Sequence, residues 1–178
     1  DDDTHTLVET YGDGWVWSVP VTPSRRYVTV MVDPRVTDLE RGGVLTACYE
    51  AELATTVAFR RVLDGATRET TPWGCDASLY HARTCGGPGM LLVGDAASCI
   101  NPLSSYGVKK ALASAWLAAV VAHTSLTNAS LAAMALDLFN QRELEIHTAL
   151  SNQAARFFAE AAAQHLHPFW TGRSTSAE

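Results

Sequence analysis

LLVGDAASCINPLSSYGV, residues Leu91–Val108, starts as an apolar strand, breaks at Gly94-Asp95 and passes through small residues into an Ala-rich helix expected over Tyr106 to His123. The strand is expected to be buried, with Asp95 placing one carboxylate at its carboxyl end, where open α/β sheets bind ligands. Gly94 lets the backbone turn or approach a ligand closely. The loop then carries the unsatisfied backbone N–H groups of a helix start, those of Ser105 to Val108, to the same place, and a helix start favours negative charge. Together these features predict a pocket for a polar cofactor.

Upstream, Thr6 to Val8, Trp15 to Val21 and Tyr27 to Val32 are rich in β-branched and aromatic residues. Gly12-Asp13-Gly14 and Pro23-Ser24 punctuate them, which predicts antiparallel strands. Alternation puts Trp15 and Trp17 on one sheet face. Taken alone, such a pair is ordinary core packing. Apolar residues at helical spacing from Val44 to Leu63 predict one amphipathic helix, stopped by Asp64-Gly65. A short strand is expected over Ser78 to Ala82, a turn over Cys85 to Gly89, and the buried strand over Met90 to Val93. The helix after the loop is apolar on nearly every side and is expected to be central. The final segment, Ser130 to about His165, opens on Ser130 as N-cap and carries Leu131, Met134, Leu138, Leu150, Ala154, Phe157 and Ala161 on one stripe. Its length predicts two packed helices or one bent one, and the polar tail beyond Thr171 is expected to be loose.

The 178 residues are 47% hydrophobic, enough for one domain's core, and carry a net charge of −6. No basic cluster exceeds a pair such as Arg25-Arg26, Arg60-Arg61 or Lys109-Lys110, so neither nucleic acid nor a membrane is expected as a partner. The apolar run Ala111 to Ala122 falls short of the ~20 residues of a membrane span. Asp1-Asp2-Asp3 has no signal-peptide character and reads as a cut end. Cys48, Cys75, Cys85 and Cys99 lack CxxC spacing and companion histidines, which predicts reduced thiols, no metal and a cytoplasmic location. Cys99 lies near a helix start, where thiol pKa values fall, although a small apolar filler is the simpler role. His165-Leu166-His167 has no carboxylates nearby and reads as structural. Arg142, Glu143 and Glu145 read as a solvated face. Asp95, Ser98 and His123 lack the GxSxG elbow of a hydrolase.

Gly94-Asp95-Ala96-Ala97, followed by Pro102, Gly107 and a helix of small residues, resembles the second FAD-binding signature of the flavoprotein monooxygenases related to p-hydroxybenzoate hydroxylase. Trp15-Val16-Trp17-Ser18-Val19-Pro20 resembles the WxWxIP signature of flavin-dependent halogenases, with Val19 in place of Ile. Cys99 to Gly107 is similar to that family's second pattern through Pro102, Ser105 and Gly107, with Cys99 replacing a Phe. The resemblance covers most of Gly14 to Ala122 and implies the carboxyl-terminal part of such an enzyme. It implies that Asp95 holds the ribityl chain of FAD and that Gly94, Pro102 and the run Ser105, Tyr106, Gly107 and Val108 bind the flavin. Tyr106 and Gly107 would also offer backbone N–H groups to a halide ion. Trp15, Trp17 and Pro20 would wall the flavin off from the organic substrate, so that the oxidant made from reduced flavin and oxygen meets halide first.

Two departures bear on this carry-over. Ser104 stands where the tryptophan-chlorinating branch has Glu, which argues against free tryptophan as substrate. No GxGxxG opens a βαβ unit, since Gly12-Asp13-Gly14 lies between strands and Gly86-Gly87-Pro88-Gly89 precedes only a strand. The family lysine that guides hypohalous acid belongs to the part without a counterpart here, and Lys109 and Lys110 are not its equivalents, so no catalytic residue is assigned. The expected fold class is α/β, or α+β as a fragment. Residues 1–72 would be a remnant of the substrate-binding sheet plus a helix, 73–127 the carboxyl-side part of the FAD-binding domain, and 128–178 a helical region and tail. The implied partners are the amino-terminal FAD-binding half, a small aromatic substrate or peptide, and a flavin reductase or NAD(P)H to supply reduced FAD. Three readings stand open: a halogenase, a halogenase-like hydroxylase or oxidase, and a fragment inactive by itself.

Overall fold

The computed structural model describes residues 4–35, 37, 39 and 43–174. Its strands are β1 (Leu7–Tyr11), β2 (Gly14–Thr22), β3 (Arg25–Met31), β4 (Tyr80–His81), β5 (Gly86–Gly87), β6 (Met90–Leu91) and β7 (Ser98–Cys99). Its helices are α1 (Gly43–Thr55), α2 (Ala58–Val62), α3 (Gly107–Thr127), α4 (Ala132–Ala162) and α5 (Pro168–Thr171), with 3-10 turns at Gly94–Ala96 and Pro102–Ser104. Described residues up to Cys75 pack with those from Phe158 onward as one compact unit, and Asp76–Phe157 pack as a second.

The first unit is built on an antiparallel meander in the order β1-β2-β3. Gly12 and Asp13 form the two-residue turn between β1 and β2, with Tyr11 opposite Gly14. The alternation places Tyr11 and Val16 on the face that α1 and α2 cover. There they form a core with Phe59, flanked by Leu7, Val28, Val30, Leu53 and Leu63. The single helix expected from Val44 to Leu63 is two helices. Thr56 ends the first by turning both its N–H (3.2 Å) and its Oγ1 (2.6 Å) onto the Leu53 carbonyl. The second starts on a carboxylate from the sheet: Glu9 accepts from the N–H groups of Val57 (2.5 Å), Ala58 (3.0 Å) and Phe59 (3.2 Å). Those are the amides a helix start leaves without partners.

The carboxyl-terminal segment closes this unit. Trp170 is fully buried and donates its indole N–H to the carbonyls of Tyr11 (2.9 Å) and Gly12 (3.1 Å). Phe158 and Phe169 pack against its ring at 5.5 and 4.9 Å between centroids. His165 bonds Thr10 Oγ1 (3.2 Å), and His167 caps α5 by accepting from the Phe169 N–H (3.2 Å). Both histidines hold structure, as expected. The chain just past Thr171 is tied down rather than loose, because Arg173 bonds the Asp33 carboxylate (3.0 Å) and the Phe169 carbonyl (2.9 Å). Residues beyond 174 lie outside the described residues. Asp33 is buried and also holds the Arg35 guanidinium (2.6 Å); that hydrogen bond, more than any other influence, keeps its carboxyl well below the usual carboxylate range.

The second unit joins two small antiparallel ladders, β4 with β7 and β5 with β6, to α3 and the first part of α4. Its core is Cys85, Ala97, Ala118, Val121 and Phe139, bordered by Leu91, Leu92, Val93, Leu117 and Leu136. The two expected strands here are only two residues long each, and Met90 is half exposed, so the strand before Gly94 is not deeply buried. Asn140 on α4 fastens the β5–β6 hairpin. Its Oδ1 accepts from the Cys85 and Gly86 N–H groups at 2.8 Å each, and its Nδ2 donates to the Gly86 carbonyl at 2.9 Å.

Several expectations for α3 and α4 are corrected. α3 is not buried all round, since it buries Lys110, Ser114, Ala118 and Val121 and leaves Val108, Leu112 and Trp116 more than two-thirds exposed. α4 is one continuous helix, preceded by Asn128, whose Oδ1 accepts from Ser130 N–H (3.2 Å) and Oγ (2.7 Å), so Ser130 is not the cap. Its buried stripe runs through Phe139, Glu143, Ala154, Phe158 and Ala161, while Met134 and Leu138 are exposed. Glu143 is wholly buried rather than solvated, and only Arg142 and Glu145 form the expected surface pair (2.8 Å).

Candidate functional site

Val93 arrives extended and Gly94 reverses the chain at φ +58° into a single 3-10 turn. The positive φ favours glycine, and the close helix adds to it, since a Cβ on Gly94 would stand 3.1 Å from the Cβ of Ala111 on α3. The turn is bonded from within. The Gly94 N–H donates to Ser114 Oγ (3.2 Å), and the Ala96 and Ala97 N–H groups donate to the Val93 and Gly94 carbonyls. From α3, Lys110 Nζ donates to the carbonyls of Gly94 (2.7 Å) and Ser98 (2.6 Å). Asp95 lies between those two anchors and is exposed, while its carbonyl accepts from the Tyr80 hydroxyl.

The loop beyond β7 is also self-bonded. Asn101 accepts from Leu103 N–H at its side chain (3.0 Å) and from Ser104 Oγ at its carbonyl (2.8 Å), and Ser104 Oγ accepts from Tyr106 N–H (3.3 Å). Ser105 is left-handed at φ +55° and donates its N–H to Pro102. The amides of Ser105 and Tyr106, expected to be free, are therefore engaged inside the loop. The first backward bond of α3 runs from Lys110 N–H to the Tyr106 carbonyl (2.8 Å), so the amides that head the helix are those of Gly107, Val108 and Lys109. A Cβ on Gly107 would meet no atom within 4 Å, which leaves open room at that start. Lys109 Nζ sits 5.0 Å from the Tyr106 ring centroid. Cys99 is not an activated thiol: burial, then the Asp95 charge, push its pKa up.

The tryptophan pair belongs to the first unit. Trp15 is almost wholly buried, opposite Thr10 and Met31 on its neighbouring strands, and Trp17 is partly buried opposite Val8 and Thr29. Their ring centroids are 6.3 Å apart and tilted by 52°, and the buried Trp17 indole N–H has no acceptor among the described residues. Pro20 stands at a β-bulge, where a central strand tolerates the loss of a donor.

Both halves of this description have counterparts among known proteins. No protein-family model matches the chain. Over 93% of its length it is 30% identical to a tryptophan 2-halogenase of Chondromyces crocatus, and over 61% it is 29% identical to flavin-dependent halogenase otaD of Aspergillus niger. The chain is thus similar to flavin-dependent halogenases along almost its whole length. It spans a quarter to a third of their length, 32% of the first relative and 24% of the second. The fold matches that of CmlS, a flavin-dependent halogenase, with a TM-score of 0.88 at 24% identity over 98% of the chain and 32% of CmlS. It also resembles QhpG, a peptidyl tryptophan dihydroxylase essential for tryptophylquinone cofactor biogenesis, with a TM-score of 0.82 at 26% identity over 94% of the chain and 39% of QhpG. Among the described residues no helix is long and apolar enough to cross a membrane, and no group of three His, Cys, Asp or Glu residues is placed to hold a metal.

Lys110, Ser114 and Asn140, the side chains that fix the turn and the hairpin, were not among the residues that the sequence singled out for the site. One signal was available. Lys110, Ser114, Ala118 and Val121 recur at helical spacing, and the small residues among them mark the face on which a loop packs closely.

Proposed function

We propose that the chain is the carboxyl-terminal portion of an FAD-dependent, halogenase-like oxidoreductase that uses reduced flavin and oxygen to halogenate an electron-rich aromatic substrate. The supporting observation is an exposed Asp95 on a turn that Lys110 and Ser114 of α3 hold by hydrogen bonds, in the same unit as an α3 start where a Cβ on Gly107 would meet no atom within 4 Å. These residues fit a flavin. A carboxylate accepts hydrogen bonds from the hydroxyls of a ribityl chain, and unpartnered helix amides stabilise an electron-rich ring edge or a small anion. Bound reduced FAD would supply the electrons that activate oxygen. Asp95 would orient the cofactor, and Gly94 and Pro102 would set the loop that presents it. Gly107 and Val108 would meet negative charge with backbone N–H groups, Gly107 being the better halide donor because the Tyr106 amide is engaged by Ser104. Ser105 and Tyr106 would shape the approach, and Trp15, Trp17 and Pro20 would separate flavin from substrate.

A second reading, hydroxylation of an aromatic metabolite or peptide, is favoured by the likeness to QhpG and by Cys99 and Ser104, which depart from the halogenase pattern. The whole protein, supplied with reduced FAD and oxygen, distinguishes the two. Product that gains chlorine or bromine only when the halide is added supports halogenation, and oxygenated product formed equally without halide replaces it with hydroxylation. Purifying the 178 residues alone and measuring flavin absorbance tests whether this part needs the rest, the expected result being no stoichiometric flavin.

A further inference from the structure

The buried face of α3 carries a charge. Lys110 is 3% exposed, and its ammonium donates to the carbonyls of Gly94 and Ser98, which bracket the segment that bears Asp95. Two carbonyls answer two of the ammonium's donors, but they do not neutralise it, and a buried charge without a counter-charge is costly. The same unit buries a carboxylate equally completely. Glu143 has no exposed surface, and neither of its oxygens accepts a hydrogen bond among the described residues.

Lys110 and Glu143 make no direct ion pair, yet they act on one neighbour. On α4, Glu143 stands between Asn140, which accepts from the Cys85 N–H, and His147, while Cys85 Sγ lies 3.9 Å from the Ala97 carbonyl inside the segment that Lys110 clamps. Burial raises the Cys85 thiol pKa, Glu143 adds to that rise and Lys110 opposes it. Cys85 Sγ lies 3.9 Å from His81 Nε2, His81 stands directly across the β4–β7 ladder from Ser98, and its ring centroid is 5.0 Å from that of His147. His147 Nδ1 and Ser98 Oγ are likewise buried without partners. The charged and polar groups beneath the turn therefore form one contiguous cluster inside an otherwise apolar core.

We propose that Lys110 and Glu143 form a buried charge pair whose role is to hold the Gly94–Ser98 turn, and with it Asp95, in the shape that receives flavin. Lys110 is a positioning residue, because it touches the turn and not the cofactor, and Glu143 is its counter-charge. This inference rests on the flavoprotein reading for its functional half and on the packing alone for its electrostatic half. Charges coupled across a protein interior destabilise most when one is removed and the other is left unpaired.

The test uses the whole protein carrying K110M, E143Q or both, with unfolding of the flavin-free form and flavin titration as separate readouts. K110M is expected to lower the unfolding midpoint by several degrees, to weaken flavin binding at least tenfold, and to displace the visible absorbance band of the flavin that still binds. The double variant is expected to recover most of the lost stability but none of the lost affinity, since the turn still lacks its clamp. Singles that sum to the double overturn the pair, and wild-type flavin affinity in K110M overturns the positioning role. If both Lys110 variants fail to fold, E143Q decides, and an unchanged midpoint with unchanged flavin affinity overturns the proposal. A wild-type protein that binds no flavin would sink the flavoprotein reading while leaving the coupling measurable.

Discussion

Gly94 meets two demands at one position, a left-handed backbone and an α3 methyl that would crowd a Cβ at 3.1 Å. Gly94→Ala should cost about 1–3 kcal/mol, the range for a non-glycine residue forced into a sparsely populated conformation, read as a lower denaturant midpoint at unchanged slope. His147 supplies a pH signature. Burial first, then His81 and Lys110, push its pKa below the ordinary histidine value. An unfolded chain then takes up a proton that the folded one refuses. The stability contributed by neutral His147 is complete above pH ~6.5 and is lost as pH falls through the depressed folded value. His147→Gln should flatten the pH dependence of the unfolding midpoint in that acidic window. Gly94 and Asp95 were legible in the sequence because backbone chemistry marks them. Lys110 and Glu143 were not, because charged residues are read as solvated and only tertiary packing shows otherwise.

At the level of elements, hydrophobic spacing located the segments better than it located their ends. The run from Val44 to Leu63 keeps helical spacing throughout, so periodicity alone does not reveal the break after Thr55. The break depends on Glu9, a residue from β1 that caps α2 and stands far away in sequence. Glu9→Ala should therefore destabilise the first unit by about 1–2 kcal/mol, the upper part of the range for a lost helix cap. Hydrogen exchange should quicken first at the amides of Val57, Ala58 and Phe59, and an unchanged exchange pattern would refute the cap. The strands of the meander were legible through β-branched content and turn chemistry. In α3 the same kind of reading failed, because a helix rich in apolar residues buried its small and polar stripe and left its large residues outside.

For the whole molecule, that outer stripe is the main liability of the chain in isolation. Val108, Leu112, Trp116 and Val120 follow one another at four-residue intervals, all exposed. An apolar row of this kind binds hydrophobic dyes and promotes association. The purified 178 residues should bind such a dye and self-associate in light scattering, and the L112Q/W116Q variant should reduce both without lowering the unfolding midpoint. The mixed helix and strand character and the position of the Gly94 turn before α3 were visible in the sequence. The division into two units was not, because the first is completed by Trp170 and Arg173 from the far end of the chain. This discontinuity sets a timetable for synthesis. When the meander and its two helices leave the ribosome, the indole that caps the Tyr11–Gly12 turn and the guanidinium that meets Asp33 have not yet been made. At roughly 5–20 residues per second, the early strands wait several seconds while the intervening unit is translated, with the carbonyls of Tyr11 and Gly12 still lacking the indole donor and Asp33 still lacking Arg173.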